Sequence, residues 1–446
     1  DSSEMEFPDL PLDEEVGLNV EEKAKELGIE FIIPTVYSLG LGIRGPVVPI
    51  KALKDTVCNG CNLHGYKDFA YGGEQAECYA VPDPKTLTAL PWKKGYGWMA
   101  CYLYYQGKIS PRCPRYNLMK QRERLKKAGY SMKTGVEPEF YLFEDGNFEA
   151  YSNSARPNDK CDDPFLLLEN SEFISEVLES MEKLGWKPYQ IEKERDTKQY
   201  ELNITYDDVL VTADRIVLCK MMIKDIARKH GLNASFMPFV CQHFGFGNGQ
   251  HIHLSLWDSN RNCMPGDGDL GLSTSGRHFL AGMVDHLDGL TPLANPTTNS
   301  YKRLHAIKNY LNFHGYGVHT RFPPLRIVKT NGISNRLEYR QPDGSINPYL
   351  CQAAIIAAGL DGLQKKQDPN PILRCEKPMF FESAPEHAKT MASSLDLALL
   401  NLKADTTLVS ALGEELVTAF CNVKELESAA HKKEVSQAEK DFLYLY

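Results

Sequence analysis

Three stretches of the chain alternate polar and apolar residues with a period of two, which is typical of β-strands with one polar face. They are VEPEFYLF (136–143), HIHLSLW (251–257) and NRLEYRQ (335–341). The polar residues on these faces are Glu137 and Glu139, then His251, His253 and Ser255, then Arg336, Glu338 and Arg340. Because polar faces of neighbouring strands can line one space, the pattern predicts a solvent-accessible funnel lined by polar side chains.

A period near 3.6 predicts helices between these strands and after them. The segments are VEEKAKELG (20–28), MKQRERLKKAG (119–129), FISEVLESMEKLG (173–185) and TADRIVLCKMMIKDIARKHG (212–231). Each of them ends at a glycine, the residue that most often follows a helix. The tail from SSLDLALLNLKAD (393–405) to residue 446 is also predicted to be helical.

The predicted elements fall into two regions of different character. Short β-rich runs punctuated by Gly and Pro fill residues 21–112 and predict a small sheet domain that ends near PRCPRYNL. Residues 113–446 mix strands and helices and are predicted to form one larger domain. Residues 1–20 are acidic and contain proline, so they are predicted to form a flexible arm. The predicted fold class is therefore α+β.

Composition narrows the class of protein. The 446 residues are 42% hydrophobic and 24% charged, as in a globular enzyme of about two domains. The formal charge of −9 argues against nucleic acid or an anionic membrane surface as the main partner. No apolar run approaches the roughly 20 residues of a membrane span, and no basic, apolar leader opens the chain. These features predict a cytoplasmic protein.

The cysteine pattern favours reduced thiols. Twelve cysteines are spread over a long chain, whereas disulfide frameworks belong mainly to small secreted domains. Cys58 and Cys61 have the spacing of a zinc or redox pair, but no second CxxC accompanies them. Reduced cysteines are the prediction, and a zinc or redox pair is the alternative.

Taken singly, the polar strand faces have ordinary explanations. Paired glutamates can be a solvated face, alternating histidines can be surface or core residues, and an Arg-Glu-Arg run can be a surface ion-pair ladder. Glu194 and Glu201 in IEKERDTKQYELN, with Arg321 and Arg326 in HTRFPPLRIV, change this balance. Hard divalent cations take oxygen ligands with an occasional nitrogen, and arginines bind phosphate bidentately. The combination favours a two-metal nucleotide site.

An ordered series of motifs resembles the glutamine synthetase family over about residues 25–446. The motifs are PDPKTLTALPW, VEPEFYLF, ERDTKQYEL, GNGQHIHLSLW, NSYKRL, RFPPLRI and NRLEYRQPDGSINPYL. Within the family, RLEYRQPDGSINPYLCQAAIIAAGLDGL is most similar to the branch that includes γ-glutamylmethylamide synthetases. The resemblance implies a β-grasp-like domain over 21–112, a catalytic domain with a curved antiparallel sheet over 113–446, and a homo-oligomeric double ring of about ten or twelve subunits.

The resemblance also implies the residues of the site. One Mg²⁺ or Mn²⁺ is expected to bind Glu139, Glu194 and Glu201, and a second to bind Glu137, His251 and Glu338. The co-substrate ATP is expected to contact His253, Ser255, Arg326 and Arg336. The carboxylate substrate is expected at Gly247, Arg303 and Arg340, and the transferring phosphoryl group at Arg321. Moving a phosphoryl group onto a carboxylate gathers negative charge that cations and guanidinium groups neutralise, and an amine then attacks the acyl phosphate.

Two positions depart from the family pattern. Six residues after Arg303, the ammonia-using enzymes carry a glutamate that takes a proton from ammonium, and this chain has Asn309 at that catalytic position. An amide cannot act as that base. Before the histidine motif the family has Asn-Gly, and this chain has Phe246 followed by Gly247. The metal and phosphate groups are therefore predicted to be kept, and the recognition of ammonium and α-amino groups to be altered.

Three functions stay open from the sequence. The first is an ATP-dependent ligase that joins glutamate or a related carboxylate to an amine larger than ammonia, which Phe246 and Asn309 favour. The second is glutamine synthesis with a substitute base. The third is a repurposed or non-catalytic member of the fold. Retention of all the expected metal ligands opposes the third, because buried charges are costly to keep without a cation.

Overall fold

Two β-sheets organise the described part of the chain. The computed structural model describes residues 7–40, 42–72, 77–144, 161–196, 198–240, 245–330, 333–375, 388–435 and 440. Helices pack on both sheets, and strands β1–β8 precede strands β9–β19 along the chain. The α+β fold class predicted from the sequence is confirmed.

The first sheet lies in the N-terminal region. Within the described residues its strands β1–β8 are Phe31–Tyr37, Ile43–Arg44, Val48–Pro49, Cys61–His64, Glu77–Pro82, Thr88–Ala89, Tyr96–Tyr105 and Lys108–Ile109. The main order is β2-β1-β7-β5-β4, in which β1 and β7 run parallel and the other neighbours antiparallel. Helices α1 (Glu14–Glu26), α2 (Leu53–Asn59) and α3 (Tyr66–Phe69) accompany it. A small core forms where Val20 and Ala24 of α1 meet Leu53 and Val57 of α2.

The first helix begins earlier than the pattern predicted. Helix α1 starts at Glu14 rather than near Val20, and the side chain of its N-cap Asp13 accepts from the backbone N–H of Glu15. Two of the acidic residues that suggested an arm, Glu14 and Glu15, thus lie in the first helical turn, where the helix dipole favours negative charge. Residues 1–6 of the arm lie outside the described residues. The flexibility of residues 1–20 and the domain boundary after residue 112 stay predictions.

The second sheet positions the polar faces. Its strands β9–β19, within the described residues, are Ser131–Glu144, Pro188–Lys193, Gln199–Ile204, Asp207–Asp208, Leu232–Ser235, Gln250–Asp258, Arg261–Asn262, Tyr316–Val318, Leu325–Val328, Arg336–Tyr339 and Arg374–Cys375. The main order is β10-β11-β9-β14-β18-β17-β16-β19. Neighbours from β10 to β17 are antiparallel, whereas β16 runs parallel to β17 and β19, a pairing that the sequence did not predict. The strands with predicted polar faces, β9, β14 and β18, are adjacent.

The remaining helices pack against this sheet and against one another. They are α4 (Pro114–Lys127), α5 (Pro164–Leu168), α6 (Ser171–Lys183), α7 (Val209–Lys229), α8 (Thr274–Asp285), α9 (Leu287–Ala294), α10 (Thr298–Ala306), α11 (Pro348–Lys365), α12 (Leu395–Ala404), α13 (Thr406–Leu412) and α14 (Glu414–His431). Val136, Phe140 and Leu142 of β9 are buried in the main core, as the alternation predicted. Helices α8 and α11 approach each other so closely that only glycine fits at their contact: a Cβ on Gly282 would lie 2.1 Å from the carbonyl oxygen of Ala358. Of the predicted helical tail, residues 436–439 and 441–446 lie outside the described residues.

The described cysteines are all free thiols, including Cys58 and Cys61. Cys58 lies in α2, where its Sγ atom is 3.6 Å from the carbonyl oxygen of Asp13, and Cys61 opens β4. Among the described helices, none combines the length and the apolar character that a membrane crossing requires.

Candidate active site

Strand register brings the predicted metal ligands onto one face. Glu137 of β9 lies directly opposite His251 of β14, and Glu139 of β9 lies directly opposite Glu201 of β11. Opposed residues in antiparallel strands have Cβ atoms about 4.5–5.5 Å apart, so their side chains meet. The alternation read from the sequence therefore becomes a set of cross-strand pairs.

Three glutamates form the first group. Glu139, Glu194 and Glu201 each place an oxygen within 4.8 Å of the others. The N–H of Gly249 donates to Glu139 Oε2 at 2.7 Å, and Asn203 Nδ2 donates to Glu201 Oε1 at 2.9 Å. Burial and the charge of Glu194 raise the pKa of Glu139 to about 8, and burial and neighbouring glutamates raise the pKa of Glu201 well above its usual range. Buried carboxylates that face one another are a donor set for a divalent cation.

A second group surrounds His251. Its Nδ1 atom lies 3.5 Å from Glu137 Oε2 and 3.8 Å from Glu338 Oε1. Burial, followed by the charge of Arg340, lowers the pKa of His251 to about 4, so the imidazole is neutral at neutral pH. A neutral imidazole is the form that binds a metal.

His253 lies closer to this group than the sequence predicted. Its Nε2 atom is 3.0 Å from Glu137 Oε1 and 3.8 Å from Glu338 Oε1. Ligand atoms of Glu137, His253 and Glu338 all lie within 4.8 Å of one another, as do those of Glu137, Glu201 and His251. Burial raises the pKa of Glu137, but the charges and hydrogen bonds of His253 and His251 outweigh it and hold that pKa well below its usual range. His253 therefore borders both the group around His251 and the predicted nucleotide site.

Arginines surround Glu338, which is fully buried. Arg326 Nη1 donates to Glu338 Oε2 at 2.8 Å, and Arg340 Nη1 donates to Oε1. Arg340 also donates from Nε to the carbonyl oxygen of Arg321 at 3.2 Å, and from Nη2 to Tyr310 Oη at 3.3 Å. Burial raises the pKa of Glu338, but Arg340 and the neighbouring histidines outweigh it and lower that pKa to about 2. The side chain of Arg321 is exposed at the rim.

Gly249 keeps open the space where these groups converge. A Cβ at this position would lie 2.6 Å from His251 Nε2, 2.9 Å from Arg303 Nη2 and 2.9 Å from Glu139 Oε1. Arg303, on α10, is buried and donates from Nη1 to the carbonyl oxygen of Gln341 at 2.9 Å. The predicted substrate arginine thus borders the predicted metal ligands.

The predicted nucleotide residues line a cavity of about 280 Å³. Among its lining residues are His253, Ser255 and Arg336, and Arg336 Nε donates to His253 Nδ1 at 2.9 Å. Arg326 was predicted to join them, and the structure places its guanidinium on Glu338. The cavity therefore lies directly beside the group around His251, since Glu137 also lines it.

The aromatic and basic residues that line this cavity were not predicted from the sequence. Lys133, Tyr189, Tyr206 and Trp257 also line it, and Lys133 Nζ lies 3.9 Å from the centroid of the Trp257 ring. Trp257 Nε1 donates to Ser255 Oγ at 2.8 Å. Aromatic faces with a cation beside them suit a nucleobase. Lys133 continues the period-two face of β9, so a longer alternation would have found it. Trp257 lies inside the stretch predicted for β14, but the alternation of polar residues did not mark it as a site residue.

Three aromatic residues, Phe246, Tyr310 and Phe322, form what we call the aromatic wall. The Tyr310 ring meets the Phe246 ring edge to face at 5.7 Å and the Phe322 ring at 6.1 Å. Tyr310 follows Asn309, which is half-buried and has a left-handed backbone with φ of 59°. Because Tyr310 also accepts from Arg340, the wall lies beside a predicted substrate arginine.

Gly247 serves the site through its backbone. Its φ is +66°, and a Cβ would lie 2.1 Å from the carbonyl oxygen of Pro238, so only glycine fits. Its own carbonyl oxygen accepts from Gln199 Nε2 at 2.7 Å. The same nitrogen donates to Glu139 Oε2 at 3.1 Å, so Gln199, which was not predicted from the sequence, links this loop to the first group of glutamates.

Comparisons with known proteins agree with this arrangement. Residues 111–443 match the family described as the catalytic domain of glutamine synthetase. Glutamine synthetase of Rhizobium leguminosarum bv. phaseoli is 34% identical over 438 residues, which span 94% of this chain and 97% of that protein. Glutamate–methylamine ligase of Methyloversatilis universalis is 32% identical over 433 residues, which span 93% of this chain and 96% of that protein.

A solved structure of GmaS in complex with ADP superposes with a TM-score of 0.85 at 37% identity, over 95% of this chain and 98% of that chain. The fold and the resemblance predicted from the sequence are thus confirmed. The chain belongs to the glutamine synthetase family of ATP-dependent ligases that form C–N bonds.

Proposed function

We propose that this chain joins the γ-carboxylate of glutamate, or of a closely related acid, to a primary amine larger than ammonia. The observation that carries the proposal is the aromatic wall beside Arg340, with Asn309 where a catalytic carboxylate was expected. The amide of Asn309 adds no negative charge that would attract ammonium, while the rings of Phe246 and Tyr310 provide apolar surface. The similarity to a glutamate–methylamine ligase supports the same reaction class.

Two divalent cations, Mg²⁺ or Mn²⁺, belong to this proposal. The first would bind Glu139, Glu194 and Glu201, whose oxygens already lie within 4.8 Å of one another. The second would bind Glu137, His251 and Glu338. The donor set fits, because hard cations take carboxylate oxygens with an occasional imidazole nitrogen. When bound, the cations would supply positive charge to the phosphate oxygens of ATP.

The protein's own groups hold and orient the substrates in this scheme. The cavity lined by Lys133, Tyr206 and Trp257 would take the nucleotide, and a GmaS structure with ADP supports nucleotide binding on this fold. Arg303 and Arg340 would hold the carboxylate substrate next to the metal groups. Arg321, exposed at the rim, would neutralise charge on the transferring phosphoryl group, which leaves ATP for the carboxylate oxygen.

Glutamine synthesis is the second candidate. The similarity to a rhizobial glutamine synthetase over 94% of the chain favours it. It would require a base other than Asn309 to take the proton from ammonium. The two candidates share the nucleotide, the carboxylate and the cations, and they differ only in the acceptor.

A coupled assay of ADP release separates the candidates. Glutamate and related acids are tested with ammonia, methylamine and longer primary amines, with and without Mg²⁺. Each buried methylene contributes about 0.8 kcal/mol, so one carbon gives a few-fold preference and two or three more give tens-fold. We expect the best amine to exceed ammonia in kcat/KM by at least about tenfold. A preference for ammonia would favour glutamine synthesis, and no ADP release with any acceptor would favour a repurposed scaffold.

The double ring of about ten or twelve subunits and the cytoplasmic location also belong to the proposal. Sedimentation velocity of the purified protein tests the assembly, and a monomer or dimer at micromolar concentration would contradict it.

A further inference from the structure

A buried carboxylate lies behind the aromatic wall and outside the metal groups. Asp196, in the turn between β10 and β11, is only 7% exposed. Its Oδ1 accepts from the N–H of Gly245 at 3.2 Å, and its Oδ2 accepts from the N–H groups of Phe246 at 3.4 Å and Gly247 at 3.1 Å. Three successive backbone donors thus converge on one side chain, which is the arrangement that binds an anion.

Asp196 is itself fixed by buried partners. Tyr141 Oη donates to its Oδ2 at 2.6 Å, and Lys193 Nζ donates to its backbone oxygen at 2.7 Å. The backbone N–H of Asp196 donates to Gln199 Oε1 at 3.3 Å. Tyr141 and Lys193 are nearly inaccessible to solvent. The carboxylate is therefore a rigid anchor to which the loop at 245–247 attaches.

Besides Asp196, Gln199 also holds this loop, because its Nε2 atom donates to the carbonyl oxygen of Gly247 at 2.7 Å. Two of the three loop residues are glycines, and a Cβ at Gly245 would meet nothing within 4 Å. Phe246 between them contacts the Tyr310 ring at 5.7 Å and the Arg195 guanidinium at 5.0 Å. The ring position of Phe246 thus depends on the backbone that Asp196 holds. Hydrogen bonds to a charged acceptor are stronger than those to a neutral one, so the carboxylate suits this task.

We propose that Asp196 is a positioning residue that sets the acceptor preference by holding Phe246 against Tyr310. The inference rests on the proposed function, because it takes the aromatic wall to border the amine. Asp196 contacts no reacting group in this scheme and acts only through the loop. Its effect should therefore appear in the acceptor ratio, defined as kcat/KM for methylamine divided by kcat/KM for ammonia.

Asp196→Asn tests the inference, since it keeps the volume of the side chain but removes the charge and turns one acceptor into a donor. We expect the acceptor ratio to fall by about three- to fourfold, because the single methyl group that Phe246 would contact contributes about 0.8 kcal/mol when buried. The change should come from a higher KM for methylamine. The KM for ATP and the Mg²⁺ concentration for half activity should change by less than about twofold.

A double-mutant cycle shows whether Asp196 acts through Phe246. In a Phe246→Ala background, Asp196→Asn should leave the acceptor ratio unchanged. Asp214→Asn is the matched control, because Asp214 is also buried and accepts from a tyrosine, Tyr349, but is paired with Arg115 outside the funnel. That variant should lower stability without changing the ratio.

Three results would overturn the inference: an unchanged ratio in folded Asp196→Asn, an equal fall in both backgrounds, or a shift in Mg²⁺ dependence in place of the ratio. If Asp196→Asn is not recovered in folded form, Asp196→Ser carries the same comparison. A wild type that prefers ammonia contradicts the proposed function instead, since the inference concerns the change in ratio between variants.

Discussion

Arg326 lies directly opposite Glu338 across β17 and β18, and its Nη1 atom donates to Glu338 Oε2 at 2.8 Å. Arg340 donates to the other oxygen of the same fully buried carboxylate. Two guanidinium groups thus keep Glu338 ionised and fix its orientation, and its pKa falls to about 2 although burial raises it. Glu338 therefore presents a fixed negative charge to the site at neutral pH.

Glu338→Gln should reduce ADP release by at least about 100-fold, because a neutral amide removes charge from the second metal group without changing volume. The variant should fold with a free energy of unfolding lower by about 1–3 kcal/mol, since the buried Arg340 and the half-buried Arg326 both lose a charged partner. Coupled ADP assays and thermal unfolding measure the two effects. Glu425→Gln, at an exposed pair with Lys403, is the control and should change neither. Full turnover in folded Glu338→Gln would contradict the metal assignment.

Gly249→Ala should weaken Mn²⁺ binding by at least about tenfold, because the added Cβ would lie 2.6 Å from His251 Nε2 and 2.9 Å from Glu139 Oε1. The ligands have to shift to make room for it. Titration of Mn²⁺ followed by electron paramagnetic resonance reports the affinity without turnover. Gly72→Ala is the matched control, since a Cβ there meets nothing within 4 Å. Equal Mn²⁺ affinity in both variants would show that the metal lies elsewhere.

The alternation of polar residues found most of the candidate site because strand geometry is local and regular. Side chains two residues apart share a face, and antiparallel register then sets Glu137 opposite His251 and Glu139 opposite Glu201. The same logic missed Lys133, since the predicted strand began too late. Amphipathic aromatic residues are ambiguous in a pattern of polar and apolar positions, because their rings also line binding sites.

The aromatic wall could not be read from the sequence for a different reason. Phe246 and Tyr310 lie in loops far apart along the chain, and their contact depends on tertiary structure. Asp196 holds the first loop from a third segment, and no local periodicity connects the three. The left-handed backbone at Asn309 and Leu311 is likewise set by the packing of the loop, since Leu311 donates to the carbonyl oxygen of Phe322.

His286 links helices outside the candidate site, and its protonation predicts how the stability of the fold depends on pH. It lies between α8 and α9, with Nδ1 2.7 Å from Asp405 Oδ2 and Nε2 3.0 Å from Asp361 Oδ2. Lys365 also pairs with Asp361. Burial lowers the pKa of His286, but the hydrogen bonds and charges of the two aspartates outweigh it and raise that pKa above its usual value. The protonated imidazole is thus the form that the fold favours.

A raised pKa in the folded state means that the stabilisation is fully present below the unfolded pKa of about 6.5 and is lost as pH rises through the folded value. His286→Gln should therefore lower Tm most at about pH 6, and its difference from the wild type should shrink towards about pH 9. Thermal unfolding across this range measures it. The exposed His305, changed to Gln, should show no such trend. A Tm difference independent of pH would contradict a charged His286.

The backbone conformation at Asn309 determines which acidic residue can replace it without strain. Its φ of 59° lies in the left-handed region, which asparagine, aspartate and glycine adopt more readily than other residues. Asn309→Asp therefore restores a negative charge with little backbone strain. Asn309→Glu reaches further but should cost about 1–2 kcal/mol of conformational energy.

Both acidic variants should shift the acceptor ratio towards ammonia, because a negative charge beside the aromatic wall stabilises ammonium and can accept its proton. We expect a change of at least about tenfold, which corresponds to about 1.4 kcal/mol, and a lower Tm for the glutamate variant than for the aspartate variant. Asn309→Gly is the matched control, since it accepts the same φ and adds no charge. Steady-state kinetics with both acceptors measures the ratio in all three proteins. If glycine shifts it as far as aspartate does, loss of the amide and not gain of charge controls the acceptor.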